Sequence, residues 1–209
     1  MDEYMNEREQ WEYVRNWLRQ NGAWLVAGVA LAALGMWGWR AWQAHQEAML
    51  MKASGQYQQM LAAVGKNDLP TVLKLADQLE ITHPRTGYAE QAQLAAVRMQ
   101  VENNQLPAAL ARLQKVQAAT SDPELSLVVR LRIARLQIEQ NHIDDALKTL
   151  SAVEPGAFAG RFAEVRGDAL LAKGDRAGAL KAYREAQAAQ AGAAAGDLLA
   201  LKINELTRS

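Results

Sequence analysis

Val165–Ala186, VRGDALLAKGDRAGALKAYREA, is the stretch whose reading decides the fold. In it Gly167, Leu170, Gly174, Ala179, Tyr183 and Ala186 fall at intervals suited to two antiparallel helices joined by a tight stop. Each has a packing reason. Gly167 lacks a side chain where the helices approach closely, Leu170 fills the space beside it, and Gly174 ends the first helix. Ala179, Tyr183 and Ala186 share the inner face of the second. The bulky residues usual in the first helix are here Ala163 and Arg166, so the unit is degenerate.

This is the spacing of a tetratricopeptide helix pair, and the frame recurs upstream. Placing Ala146 in the role of Ala179 aligns Ala134 with Gly167, Asn141 with Gly174 and Leu150 with Tyr183. A further step back uses Ala109, with Asn104 at the stop and Leu113 behind it, and another uses Val72, with Asn67 and Ala76. The steps are 37, 37 and 33 residues. Asn is the next-best residue after Gly for a left-handed helix stop. Such a period implies stacked helix pairs that bury a continuous core only together.

The expected fold is all-α, with about four pairs at 41–65 and 68–81, 87–103 and 105–119, 123–140 and 143–153, and 158–173 and 176–190. Asp68 and Asp122, close before Pro70 and Pro123, read as helix starts. A last helix, 194–207, carries Leu198, Leu199, Leu201, Ile203 and Leu206 and reads as a cap over the final pair.

Ahead of the repeats, Gln20 to Trp39 are twenty residues without a charge, between Arg19 and Arg40. As a helix they extend ~30 Å, the thickness of a bilayer's hydrocarbon core. The preceding residues carry Asp2, Glu3, Glu7, Glu9 and Glu12 against Arg8, Arg15 and Arg19. That acidic start, and an apolar run ending in tryptophans, argue for a retained anchor over a cleaved signal. The division expected is a short cytoplasmic tail at 1–19, a transmembrane anchor at 20–42 and a repeat domain at 43–209. Trp24 near one end and Trp37, Trp39 and Trp42 near the other suit the two membrane interfaces. Gly28, Ala32 and Gly35 lie near one face, where another membrane helix could approach, although Gly and Ala are common in such helices anyway. No Gly- or Pro-rich break separates Trp42 from the first repeat helix, so the two are expected to form one continuous helix.

The Lys/Arg balance leans towards a cytoplasmic N-terminus, and the absence of cysteine suits an oxidising compartment on the far side, which in a bacterium is the periplasm. The chain has 23 basic and 23 acidic residues. Without a basic stripe interleaved with aromatics, nucleic acid is not an expected partner. His45, His83 and His142 lie far apart with no i, i+4 partner, so no metal site is expected. Lys173-Gly174-Asp175 and Arg166-Gly167-Asp168 fall inside the repeat frame and lack the surroundings of a phosphate loop. No catalytic residue, cofactor or enzyme activity is expected.

Stacked helix pairs offer a groove lined by the first helix of each pair. In the repeat phase, Leu94, Arg98 and Val101, then Leu131, Arg135 and Ile138, then Glu164, Asp168 and Leu171 should face it. Arg98 and Arg135 stand one repeat apart and could take a carboxylate of a bound protein segment. An ordinary solvated face with helix charges is the competing reading.

The acidic start EYMNEREQWEYVRNWLRQNG, the span ending in GWRAW, and then LRIARLQIEQ, DDALKTL, RGDALLAKGDRAGA and the closing LALKINEL make nearly the whole chain resemble the YfgM family. Its members are ancillary subunits of the SecYEG translocon in Gram-negative bacteria. The resemblance implies a single-pass inner-membrane protein with a tetratricopeptide-like domain in the periplasm, embedded in the lipid bilayer by its span. It also implies association with the SecYEG translocon and with a PpiD-like membrane-anchored periplasmic chaperone, helping exported proteins pass from one to the other. A link to envelope-stress signalling, through a cytoplasmic signalling protein bound by residues 1–19, is the alternative. A third reading, a holdase for exported proteins, would need a large apolar surface that the sequence does not display. The resemblance transfers no catalytic residues and no motif that sets contact positions.

Overall fold

The computed structural model describes residues 7–84, 86–189 and 197–208. Residues 1–6 of the acidic tail, with Asp2 and Glu3, position 190 of the last expected pair and 194–196 of the expected cap lie outside them. The described residues form α-helices and one 3-10 turn, with no strand. In order they are α1 (Glu7–Gly65), α2 (Leu69–Thr82), α3 (Gly87–Glu102), α4 (Leu106–Ala119), α5 (Pro123–Glu139), α6 (Ile143–Ser151), the 3-10 turn Gly156–Phe158, α7 (Ala159–Ala172), α8 (Arg176–Ala189) and α9 (Asp197–Arg208). α1 is continuous through the apolar stretch and on to Gly65, as the missing break predicts.

By contacts the chain divides into two units, Met1–Lys52 and Ala53–Ser209. In the first unit the apolar side chains of α1 have no protein around them: Trp24, Val26, Val29, Leu31, Leu34 and Trp37 are all exposed. The helix is long and apolar enough to cross a membrane, and none of its most apolar window is buried. A helix satisfies its own backbone hydrogen bonds, which is what a hydrocarbon environment demands.

In the second unit, α1 contributes the stripe Ala53, Met60 and Ala63, buried against Leu69, Val72, Ala76 and Leu79 of α2 and Ala92, Ala96 and Met99 of α3. Core packing of the first pair thus starts at Ala53, later than position 41. The second helix of each pair is one-sided. α4 buries Ala109, Leu113 and Val116 in one cluster, α6 buries Ala146 and Leu150 in the next, and α8 buries Ala179, Tyr183 and Ala186 in the last. The first helices are two-sided. On α5, Val129, Ile133 and Leu136 pack towards α3 and α4, whereas Leu131 and Ala134 pack with α6 and α7. α7 likewise splits Phe162, Val165 and Ala169 from Ala163 and Leu170. Adjacent repeats therefore share each inner helix, and the core is continuous along the stack.

The helix stops stand where the frame predicts them. Asn67, Asn104 and Asn141 have φ of 54°, 58° and 59°, and Gly174 has 89°. Around each, the same two bonds close the helix: the stop residue's N–H donates to the carbonyl three back, and the following N–H to the carbonyl five back. The second set is Asp68 to Ala63, Gln105 to Gln100, His142 to Gln137 and Asp175 to Leu170, at 3.0, 2.7, 2.8 and 2.9 Å. This is the Schellman closure, and a left-handed residue is its requirement. Asn141→Val should lower stability by about 1–2 kcal/mol, because a β-branched residue resists that conformation, whereas Asn141→Gly should leave it unchanged or slightly higher. Urea midpoints of the two variants check this.

The helix starts are chemical as well. Asp122 accepts from Glu124 N and Leu125 N at 2.9 and 3.2 Å, and Asp68 accepts from Thr71 N at 3.2 Å, with Pro123 and Pro70 in the first turns. These satisfy backbone donors that an α-helix leaves unpaired. Across α2, α3 and α4, Arg112 Nη1 donates to Asp77 Oδ1 and to Gln93 Oε1, both at 2.5 Å. Gln93 Nε2 in turn donates to the Ala76 carbonyl at 3.1 Å and to Glu80 Oε2 at 2.9 Å.

Candidate functional site

The two-sided packing of the inner helices determines what they can show to solvent. On α5 the strip left over is Arg132, Arg135 and Glu139, spaced i, i+3, i+7. Leu131, read from the phase as a groove residue, belongs to the core, because the face it occupies is claimed by α6 and α7. Ile138 is half-buried against the same cluster, and Leu94 against the preceding one. Arg98, Val101, Arg135 and Leu171 are exposed.

Between α3, α4 and α5, Arg98, Val101 and Arg135 meet in an open groove of about 390 Å³, which Leu171 of α7 does not line. Its floor is Val97, Val101, Leu113 and Leu136, and its rim is Arg98, Arg132 and Arg135 with Glu102. The phase predicts Arg98, Val101 and Arg135 together, and the groove unites them. Arg132, Glu102 and the floor residues Val97, Leu113 and Leu136 are additions. Arg132 could have been read from its i, i+3 relation to Arg135. Leu113 could not, since it comes from the second helix of the neighbouring pair. Arg98 Nε donates to Glu102 Oε1 at 2.7 Å, an exposed i, i+4 pair with side chains 76% and 47% accessible. Such a pair holds its partner weakly. Neither Arg132 nor Arg135 has an ion-pair partner among the described residues.

At the other end of the same row the inner face is closed. Lys202 of α9 stands 34 positions after Asp168, in the phase of Arg98 and Arg135, and donates to Asp168 Oδ1 at 2.7 Å and Glu164 Oε1 at 3.2 Å. Its ammonium lies 5.4 Å from the centre of the Tyr183 ring, whose hydroxyl donates to Asp168 Oδ1 at 2.7 Å. Glu164 and Asp168 are therefore half-buried and engaged, and do not join Arg98 and Arg135 in one groove. α9 packs as a cap through Leu199, Ile203 and Leu206.

Burial by itself would lower the Lys202 pKa, but the hydrogen bonds and charges of Asp168 and Glu164 outweigh it and hold the group above its ordinary 10.5. Burial first, and then Asp168, push Tyr183 up as well. A group whose pKa is raised by folding stabilises the fold below its unfolded value, and that stability is lost as pH climbs through the folded one. The cap should hold across neutral pH, and the melting temperature should fall above pH ~10.5. Lys202→Met should show a shallower fall in that alkaline window, read from melts at stepped pH.

In the first unit, Gly28 and Gly35 have open space around the position a Cβ would take. Gly28 and Ala32 share a shallow flank with Trp17, Trp24, Leu25 and Val29. Trp24, Trp37, Trp39 and Trp42 are exposed, and the rings of Trp39 and Trp42 lie 5.3 Å apart. Among the described residues no group of three or more His, Asp or Glu side chains could hold a metal ion.

A family model described as "Tetratricopeptide repeat-like domain" matches residues 15–208. Three curated relatives carry the name "Ancillary SecYEG translocon subunit". One from Escherichia coli (strain K12) is 35% identical over 99% of this chain and 100% of its own length. Those from Aggregatibacter actinomycetemcomitans and Haemophilus influenzae are 32% and 30% identical, each over 97% of this chain and 98% of their own.

Proposed function

The chain belongs to the tetratricopeptide repeat-like family that contains the ancillary SecYEG translocon subunits, and on that premise we propose that it is a non-enzymatic adaptor of the bacterial inner membrane. Its span associates with the Sec translocon, its N-terminus lies in the cytoplasm, and its repeat unit lies in the periplasm. There it holds a membrane-anchored chaperone of the PpiD type, so that exported polypeptides pass from translocon to chaperone. The observation that carries this reading is the match over 99% of the chain, which takes in the apolar helix as well as the repeats.

Two features support it. α1 presents about 30 Å of exposed apolar helix, with a small-residue flank at Gly28, Ala32 and Gly35 where a second membrane helix can approach closely. Trp24 and the group Trp37, Trp39 and Trp42 are suited to the two interfaces of the bilayer. A stack of helix pairs, in turn, is an extended binding surface with no need of a catalytic pocket.

Photoreactive residues placed singly at Gly28, Gly35, Arg98 and Arg135 in living cells test the assignment. Adducts with a translocon subunit from the span positions, and with a chaperone from the repeat positions, are expected. Adducts with lipid or with this chain alone would overturn it.

A further inference from the structure

Along the inner row of the repeats, the interval between α7 and α9 is closed by an ion pair. Lys202 and the pair Glu164 and Asp168 have opposite signs, and they meet at 2.7 and 3.2 Å. That interval is thus sealed by the chain itself. Between α3 and α5 the equivalent positions are Arg98 and Arg135, which have the same sign and cannot pair. Arg132 adds a third positive charge, against the single carboxylate of Glu102, which is already shared with Arg98 in an exposed pair. Below them lies a floor of Val97, Val101, Leu113 and Leu136. We propose that this groove is a docking site for a partner-protein segment that combines a large aliphatic side chain with carboxylates, the aliphatic group on the floor and the carboxylates between the arginines.

Charge complementarity selects this occupant. A carboxylate between Arg98 and Arg135 would supply what Lys202 supplies between Glu164 and Asp168, with the signs reversed. Planar guanidinium groups bind carboxylates through paired hydrogen bonds, which favours a fixed geometry over diffuse attraction. The apolar floor excludes a purely acidic ligand as the best fit, since burying its carboxylates over Val101 and Leu113 would cost solvation without return. The inference rests on the repeat unit's chemistry and is independent of the translocon assignment: the span crosslinks can fail while the groove binds, and the reverse.

The test uses the full chain in detergent micelles and a fluorescein-labelled synthetic peptide of leucine and glutamate in helical alternation, followed by anisotropy. The wild type should bind, and affinity should fall with added salt. Arg98→Gln with Arg135→Gln should weaken binding about tenfold or more, as expected for the loss of charged hydrogen bonds. Val101→Asn, which places an uncharged polar group on the floor, should weaken it while leaving the charges of the groove unchanged. Arg184→Gln, at an exposed position on α8, should bind as the wild type does. Circular dichroism confirms that each variant is folded; all the substituted side chains are exposed. Equal binding by the double variant, equal binding of the peptide with glutamine for glutamate, or displacement by phosphatidylglycerol vesicles through the same arginines would each overturn the proposal, the last by making the occupant a lipid.

Discussion

Replacing Gly167 by Ala should destabilise the repeat unit by about 2 kcal/mol, although alanine is the better helix former. A Cβ at that position would lie against Tyr183 Cε1 and 2.5 Å from Cδ1. The ring cannot give way cheaply. It is fully buried, and its hydroxyl is fixed to Asp168, which also receives Lys202. One methyl group therefore pushes apart α7 and α8 and loosens the seat of α9. The gain in helix propensity, about 1 kcal/mol, is smaller than the overpacking it opposes. Gly167→Ala combined with Tyr183→Leu should recover part of the loss, because the clash is with the ring. A double-mutant cycle read from denaturant midpoints should give a coupling of at least ~1 kcal/mol, and strict additivity would count against close approach as the reason for the glycine.

Arg112→Ala should cost about 2–3 kcal/mol, from the loss of charged hydrogen bonds and the stranding of a buried amide. Its guanidinium ties α4 to α2 through Asp77 and to α3 through Gln93, and its side chain is only 16% exposed. Without it Gln93 Oε1 is left in the interior with no donor. The Asp77 carboxyl feels burial most strongly, which acts upward. The hydrogen bond and charge of Arg112, with help from Gln93 and Lys115, outweigh that and hold it below its ordinary 3.8. A carboxyl depressed by folding contributes stability above its unfolded pKa and loses it as pH falls through the folded one. The gap between wild type and variant should thus be full above pH ~4 and narrow below it. Urea titrations at neutral pH and near pH ~3 would read the difference. An unchanged gap would locate the effect in packing alone.

How far the sequence could be read followed the range of the physics involved. The stops at Asn67, Asn104, Asn141 and Gly174 were legible because a left-handed residue at a helix end is a local demand, met by few residue types. Asp122 was legible for the same reason. The pairing of helices followed from the period. The membrane-length segment was legible from composition, since twenty uncharged residues in one run need no tertiary context.

Contacts between residues far apart in the sequence were hidden. Arg112 reaches Asp77 across 35 positions and Gln93 across 19, and Lys202 reaches Asp168 across 34. At each site several carboxylates or amides could equally have been the partner on paper. The groove was legible in part. Arg98, Val101 and Arg135 share a phase that points outward, but Leu131 shares it too and is buried. Its fate depends on α7 packing against the far side of α5, and an inner helix that is apolar on two flanks gives no single stripe from which to tell floor from core.

That two-flanked packing has a consequence for how such a protein can diversify. On α5 Val129, Ile133 and Leu136 are committed to one neighbour and Leu131 and Ala134 to the other, while Arg132, Arg135 and Glu139 face solvent. Substitutions there change stability by no more than about 0.5 kcal/mol, while the same changes at Ile133 or Leu131 disturb a core. A lineage can change the charge that the inner face presents through a few solvent-facing residues at little cost to the scaffold. On this helix the solvent-facing charges and most of the core stand on separate residues, and Leu136 alone serves both the core and the groove floor.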